Sequence, residues 1–190
     1  MISPAVSRNT HLVLPKDSTA LMLIDIQDFY FPGGTLPLVN PEVAADKASQ
    51  VLAFFRENKM EVIHVKHAAR SFADIYKTVT PHNGEKVFTK TEVNAFLNTG
   101  LDQYLRSKNI RYLVICGMQT HMCLEAATRA AHDLGYTCTV LSDACATRDL
   151  VYYGKTIIAE DVHLSTLASL DRYYGRVMDV QSFLNAMNGK

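Results

Sequence analysis

The sequence predicts a single-domain α/β protein with a Rossmann-like, three-layer α/β/α fold and a mainly parallel sheet of about six strands. Two observations lead to this prediction. Short apolar runs alternate with segments of helical period along most of the chain, which is typical of parallel sheets with helices on both faces. The 190 residues also suffice for one sizeable core but are too few for two comfortable domains. We therefore expect an N-terminal arm over residues 1–18 and one domain over residues 19–190.

The first half of the chain contains three predicted strands. Residues 19–25 form an apolar run that ends in a carboxylate, and a turn-rich loop over 31–37 follows. Asn40-Pro41 suits a helix start, and the next apolar residues recur at helical spacing over 42–58. The remaining predicted elements are a strand at 62–65, a loop at 68–85 with one helical turn at most, and a short strand at 86–89. Long loops in compact domains are often functional.

The second half continues the alternation. The predicted strands are 111–116, 136–143 and, at an edge of the sheet, 177–180. The predicted helices are 97–105, 122–134, about 156–173 and 182–188. Gly135 ends the helical pattern that begins at Met122, because glycine is the usual residue just beyond a helix.

Composition excludes several classes of partner. Nineteen basic and nineteen acidic residues give a net charge of zero, so no global field favours nucleic acid or an anionic membrane. No run approaches the ~20 apolar residues of a membrane span. Cys116, Cys123, Cys138 and Cys145 include no Cys-x-x-Cys pair, so we expect free thiols rather than disulfides or a zinc site. These observations favour a cytoplasmic protein without nucleic-acid or membrane partners.

Cys123 is the first candidate for chemistry. It follows the buried strand at 111–116 and falls in the first turn of the next predicted helix. The positive end of a helix dipole stabilises an anion by about 1 kcal/mol, so we expect a lowered thiol pKa. The alternative interpretation is a small, buried hydrophobic residue, which describes most cytosolic cysteines.

Asp25 and Lys90 are the second and third candidates. Each lies at or just after the carboxyl end of a predicted strand, where sites form in open parallel sheets. A carboxylate can take a thiol proton if burial raises its pKa, and a nearby ammonium can stabilise the charges. Alternatively, Asp25 caps a turn and Lys90 is a solvated strand-end charge.

Three separated segments carry a family resemblance. They are LIDIQDFYFPGG at residues 23–34, Lys90 with Asn94-Ala95-Phe96, and GMQTHMC at residues 117–123, supported by DACATR at 143–148 and HLSTLA at 163–168. In this order and spacing, the chain resembles the isochorismatase-like cysteine hydrolase superfamily over about residues 19–175. Three ordered motifs are more specific than one glycine-rich pattern.

The resemblance implies a catalytic triad. Asp25 would be the general base and acid, Lys90 its electrostatic partner, and Cys123 the nucleophile that attacks an amide carbonyl. Ammonia or an amine would leave, and water would hydrolyse the thioester. The resemblance also implies a cis peptide between Met118 and Gln119, with the N–H groups of Gln119 and Cys123 forming an oxyanion hole.

The resemblance further bears on cofactors. Nicotinamidases of this superfamily bind a metal through an Asp-x-His pair and a further histidine after the second strand. Here Ala69 stands where the further histidine would fall, and His64 and His67 should point to opposite faces of a strand. We therefore expect no metal and no other cofactor, and nicotinamide becomes a less favoured substrate.

Four residues are candidate substrate contacts. Phe29 and Phe31 follow Asp25 and can line an apolar pocket, although core aromatics would look the same. Thr120 and His121 precede the nucleophile, although a histidine at a helix start is commonly just exposed.

The sequence thus favours a cysteine hydrolase that cleaves a small carboxamide or cyclic amide. The alternatives are an isochorismatase-type vinyl ether hydrolase and a non-catalytic member that binds a small molecule or a partner. True isochorismatases lack the cysteine, so Cys123 argues for amide hydrolysis. The resemblance also implies a homo-oligomer, either a dimer or a tetramer.

Overall fold

The computed structural model describes residues 14–189, and its centre is a six-stranded, entirely parallel sheet. The spatial order of the strands is β3-β2-β1-β4-β5-β8. Their bounds are β1 (Thr19–Ile24), β2 (Glu61–His67), β3 (Lys86–Lys90), β4 (Tyr112–Met118), β5 (Thr137–Ala146) and β8 (Arg176–Met178). Most of the predicted arm, residues 1–13, lies outside the described residues.

Five helices flank the sheet within the described residues. They are α1 (Pro41–Glu57), α2 (Leu101–Ser107), α3 (Glu125–Asp133), α4 (Ala159–Leu170) and α5 (Val180–Met187). Helices α1 and α5 pack together, α3 and α4 pack together, and both groups contact β5. The predicted three-layer α/β fold is therefore confirmed. None of the helices within residues 14–189 has the length and hydropathy needed to cross a membrane.

The strand order determines where a site can form. The chain moves outward from β1 through β2 to β3 on one side, and from β4 through β5 to β8 on the other. The order therefore reverses between β1 and β4, and ligands of open parallel sheets bind beyond the carboxyl ends of the strands at such a point. Every residue of β1 is buried, as expected of a central parallel strand.

Gly117 allows β1 and β4 to approach closely at this point. Its φ is +134°, and an added Cβ would collide with the carbonyl group of Ile24. Only glycine fits both the conformation and the space. The register between β4 and β5 also shifts between Ile115 and Gly117, so β4 is irregular just before it ends.

The region after β5 differs from the prediction. The predicted helix at 156–173 is wrong at its start, because β6 (Leu150–Tyr152) and β7 (Lys155–Ile157) form an antiparallel hairpin before α4 begins at Ala159. Tyr153 and Gly154 both have positive φ, as a two-residue hairpin turn requires. The hairpin turn and the β-branched residues of β7 favour strands here, although the apolar residues further along the chain recur at helical spacing.

Smaller differences occur at other elements. Helix α2 begins at Leu101, after Gly100 in the left-handed conformation, and not near Leu97. Residues Thr120–Leu124 form a π-helical segment before α3, so Cys123 does not lie in the first turn of an α-helix as predicted. The loop at 68–85 contains the expected single helical turn, Lys77–Val79.

Candidate active site

Asp25 follows the last residue of β1 and is completely buried. Its backbone N–H donates to the carbonyl of Val65 in the neighbouring β2 at 2.8 Å. Its φ is +50°, a left-handed value that is uncommon for a residue other than glycine and concentrates at functional sites. The carboxylate is therefore fixed at the switch point of the sheet.

Lys90 ends β3, and its side chain is as buried as that of Asp25. Its Nζ lies 2.7 Å from Oδ2 of Asp25 and 3.2 Å from Sγ of Cys123. A third contact, at 3.1 Å, is with the backbone carbonyl of Glu92. The structure thus brings together the three residues predicted to act in catalysis, with the ammonium in contact with both other groups.

The electrostatics of Cys123 contradict one prediction. Burial, and secondarily the Asp25 carboxylate, raise the pKa of the Cys123 thiol to about 12, while Lys90 acts in the opposite direction. The predicted lowering is therefore wrong. The thiol is 6% exposed, so the loss of hydration outweighs the favourable charges around it. In the resting protein Cys123 is a thiol rather than a thiolate.

Burial also raises the pKa of Asp25, against the lowering effect of Lys90. The carboxylate is consequently a stronger base than an exposed aspartate, as the sequence argument required. Burial raises the pKa of both Asp25 and Cys123, and one ammonium contacts both groups. A proton can therefore pass between them while the negative charge stays beside Lys90.

The predicted oxyanion segment lies between β4 and α3. The peptide bond between Met118 and Gln119 is cis, as the resemblance implies. The buried Gln119 side chain accepts a hydrogen bond from Nε of Arg148 at 3.2 Å and donates to the hydroxyl of Tyr30 at 3.4 Å. Arg148 follows β5, so this side chain connects three segments at the carboxyl ends of the strands.

Two of the four candidate substrate contacts bind other elements. Oγ1 of Thr120 lies 2.9 Å from Nδ1 of His163 on α4. Nδ1 of His121 lies 2.6 Å from Oγ1 of Thr147, which directly follows β5. These bonds hold the segment that carries Cys123 against α4 and the end of β5. Their predicted role in substrate binding stays a prediction.

Phe29 and Phe31 are both buried. Phe31 stacks on Tyr76, with ring centroids 3.4 Å apart, and Phe29 packs against Tyr30 at 4.2 Å. Tyr76 belongs to the long loop, so the loop meets the segment that follows Asp25. Contact of either phenylalanine with substrate also stays a prediction.

Backbone hydrogen bonds fix the long loop at 68–85 beside the site. The N–H groups of Asp28 and Phe29 donate to the carbonyls of Asp74 and Phe72, and Gln27 forms an antiparallel bridge with Ile75. The loop therefore borders the segment that leads away from Asp25.

Sequence reasoning missed two residues beside this cluster. Nδ1 of His67, the last residue of β2, lies 3.2 Å from Nζ of Lys90. The buried Gln27 side chain hydrogen-bonds both the backbone N–H and the carbonyl of His67. His64 instead contacts Glu85, so the two histidines make separate contacts, as the strand period suggested.

A family model described as the isochorismatase domain matches residues 19–182. The chain belongs to the isochorismatase family. An uncharacterised isochorismatase family protein of Bacillus subtilis, YddQ, is 40% identical over 178 residues, covering 88% of this chain and 99% of that protein.

Two further proteins are similar over most of the chain. The crystal structure of a candidate isochorismatase hydrolase from Oleispira antarctica superimposes with a TM-score of 0.85 at 39% identity, covering 90% of this chain and 98% of that one. The ureidoacrylate amidohydrolase RutB of Klebsiella pneumoniae is 25% identical over 226 residues, covering 96% of this chain and 92% of that protein. The protein is thus an isochorismatase-family hydrolase.

Proposed function

We propose that this isochorismatase-family hydrolase cleaves the C–N bond of a small carboxamide or cyclic amide through a thioester on Cys123. The observation that carries the proposal is the buried ammonium of Lys90, which contacts both the Asp25 carboxylate and the Cys123 sulfur. A nucleophile, a base and a charge that interacts with both are the parts needed for covalent catalysis. The similarity to an enzyme named as an amidohydrolase supports the choice of a C–N bond.

The first half of the reaction forms the thioester. Asp25 takes the Cys123 proton as the sulfur attacks the carbonyl carbon, and the negative charge moves from the carboxylate toward the substrate oxygen. Backbone N–H groups of Gln119 and Cys123 would stabilise that oxygen, each donor contributing about 3 kcal/mol in the transition state. Asp25 then gives the proton to the nitrogen, and the C–N bond breaks.

The second half regenerates the enzyme. Asp25 accepts a proton from water as the water oxygen attacks the thioester carbon. The C–S bond breaks, the carboxylic acid leaves, and the thiolate recovers its proton from Asp25. The sum is hydrolysis of an amide by one water, so the enzyme needs no net proton from outside.

The test is acylation of Cys123 during turnover. The protein is incubated with primary carboxamides, ureido acids and cyclic amides, ammonia or amine release is measured, and acid-quenched samples are analysed by peptide mass spectrometry. We expect an acyl adduct on Cys123 and a loss of turnover of about 10³-fold or more in Cys123→Ala.

Cys145→Ala is the matched control. Cys145 is also buried, and burial raises its pKa to about 12 as well, but its thiol donates to the carbonyl of Leu141 instead of contacting Lys90. This variant should keep full turnover. Undiminished hydrolysis by Cys123→Ala would refute the thioester and favour the vinyl ether alternative, whereas binding without turnover across the panel would favour the non-catalytic one.

A further inference from the structure

The contact between His67 and Lys90 follows from the pairing of their strands. The two residues are register partners on the parallel strands β2 and β3, and partners in neighbouring strands project to the same face. Nδ1 of His67 lies 3.2 Å from Nζ of Lys90. The imidazole is therefore a direct neighbour of the ammonium at the centre of the candidate active site.

The direction of the hydrogen bond between His67 and Lys90 depends on which of the two nitrogens carries a proton. An ammonium has three N–H donors and no acceptor. Nζ of Lys90 has four neighbours within 3.2 Å, namely Asp25, Glu92, Cys123 and His67. Three N–H donors cannot bond to all four neighbours at once, but a charged Lys90 offers no acceptor, so Nδ1 of His67 can hydrogen-bond to it only by accepting, with the ring proton on Nε2.

A separate set of hydrogen bonds, from the Gln27 side chain, holds the backbone of His67. Oε1 of Gln27 accepts from the His67 N–H at 2.7 Å, and Nε2 of Gln27 donates to the His67 carbonyl at 3.1 Å. The same amide also donates to the carbonyl of Ala73 at 2.7 Å. Gln27 is completely buried, so the end of β2 is fixed to the segment that follows Asp25.

We propose that His67 is a positioning residue that accepts a hydrogen bond from Lys90 and holds its ammonium between Asp25 and Cys123. The inference deepens the proposed function, on which it rests for the roles of Asp25 and Cys123. Lys90 is completely buried, so a lost acceptor is not simply replaced by bulk water. Without His67, the ammonium is less firmly oriented toward the sulfur and stabilises a thiolate there less well.

The first test compares two substitutions at His67. His67→Leu removes the acceptor, whereas His67→Asn keeps an oxygen near the position of Nδ1. The rate of Cys123 alkylation by iodoacetamide at pH 9 is followed by peptide mass spectrometry. Loss of a hydrogen bond to a charged group predicts about a tenfold slower reaction in His67→Leu. His67→Asn keeps an acceptor for the ammonium, so it should react within about threefold of the wild type.

His64→Gln is the matched control. His64 lies on the same strand and is more buried than His67, but it contacts Glu85 rather than Lys90. This variant should alkylate at the wild-type rate even if its stability falls. An unchanged or faster reaction in His67→Leu, or equal slowing in His67→Leu and His67→Asn, would overturn the proposal.

A second measurement needs no variant and therefore does not depend on folding. Nitrogen-15 NMR of the wild-type protein labelled at histidine reports which ring nitrogen carries the proton. We expect an unprotonated Nδ1 and a protonated Nε2 at His67. A proton on Nδ1 would mean that the ring donates to a neutral amine, and the proposal would be wrong.

These results are separable from those for the proposed function. If no amide is cleaved but the tautomer and alkylation pattern are as stated, the assignment of amide cleavage fails and the role of His67 stands. If Cys123 is acylated during turnover while His67→Leu alkylates like the wild type, the assignment stands and the role of His67 fails.

Discussion

Asp25 has two opposing effects on Cys123. In the proposed reaction it removes the thiol proton as a base, but its charge raises the pKa of that thiol. Lys90 has the opposite effect on the thiol, and it binds Asp25 at 2.7 Å. Activation therefore requires movement of the proton within the cluster and not a thiolate that exists beforehand.

Replacing Asp25 with asparagine should separate the two effects. Without the carboxylate charge, the pKa of Cys123 falls, and each unit of that fall increases the thiolate fraction about tenfold. We expect Asp25→Asn to lose amide turnover by orders of magnitude while alkylation of Cys123 by iodoacetamide becomes at least about tenfold faster at pH 8. Alkylation rates at several pH values and steady-state turnover measure both effects.

Lys90→Met provides the opposite comparison. Since Lys90 lowers the pKa of the thiol, its loss should slow both alkylation and turnover. In Asp25→Asn, slower alkylation would contradict the assigned electrostatics. Retained turnover in the same variant would remove Asp25 from the mechanism.

At the scale of elements, Glu85 joins the long loop to α1 and β2. Its carboxylate binds Arg56 at 2.7 Å and His64 at 2.9 Å, and it accepts from the backbone N–H of His82. Burial acts in the opposite direction, but these partners together hold the pKa of Glu85 at about 2. Burial lowers the pKa of His64, the reverse of the effect of Glu85.

Both shifts predict loss of stability in acid. Stability from the low pKa of Glu85 is complete above about pH 4.5 and is lost as pH falls toward 2. Because burial lowers the pKa of His64, its contribution to stability falls as pH drops below the ordinary value of 6.5. We expect Glu85→Gln to cost about 1–2 kcal/mol at pH 7 and to flatten the acid limb of the stability curve.

Urea unfolding measured from pH 7 to pH 3 tests this prediction. Glu57→Gln, at an exposed position on α1, is the control and should leave the curve unchanged. Parallel curves for the wild type and Glu85→Gln would show that the network does not anchor the loop.

At the scale of the whole molecule, apolar side chains stand exposed along the β6–β7 hairpin. Val151, Tyr152 and Tyr153 are 71%, 69% and 88% exposed, and Ile157 and Ile158 are also exposed. Monomers rarely expose large apolar patches. We expect light scattering to give at least twice the 21.2 kDa of one chain, consistent with the predicted homo-oligomer.

The double variant Val151→Ser with Tyr153→Ser tests whether this hairpin contributes to assembly. It should shift the mass toward 21.2 kDa without changing the circular dichroism spectrum, because neither side chain belongs to the core. A monomeric wild-type protein would contradict the prediction of a homo-oligomer.

The local pattern of apolar residues was sufficient to predict the central strands but not the hairpin that follows β5. The apolar runs predicted β1, β4 and β5 because strands buried on both faces must be apolar. The β6–β7 hairpin was missed because its residues are exposed and carry no burial pattern. Its sequence signal was the Tyr153-Gly154 turn.

The candidate site, likewise, could be predicted only in part from local sequence. The convergence of Asp25, Lys90 and Cys123 could be anticipated because each follows a strand end. The contact of His67 with Lys90 depends on the register of β2 against β3, which neither strand contains alone. The pKa of Cys123 was misjudged because the burial of a thiol is set by the whole fold, whereas the helix start is visible locally.

The protonated state of Cys123 also affects how readily its sulfur is oxidised. Peroxides oxidise thiolates much faster than thiols, and oxidation beyond the sulfenic acid is generally irreversible. With a pKa of about 12 and 6% exposure, the sulfur is kept in its less oxidisable form. In the proposed reaction, the sulfur loses its proton only as it attacks a substrate carbonyl.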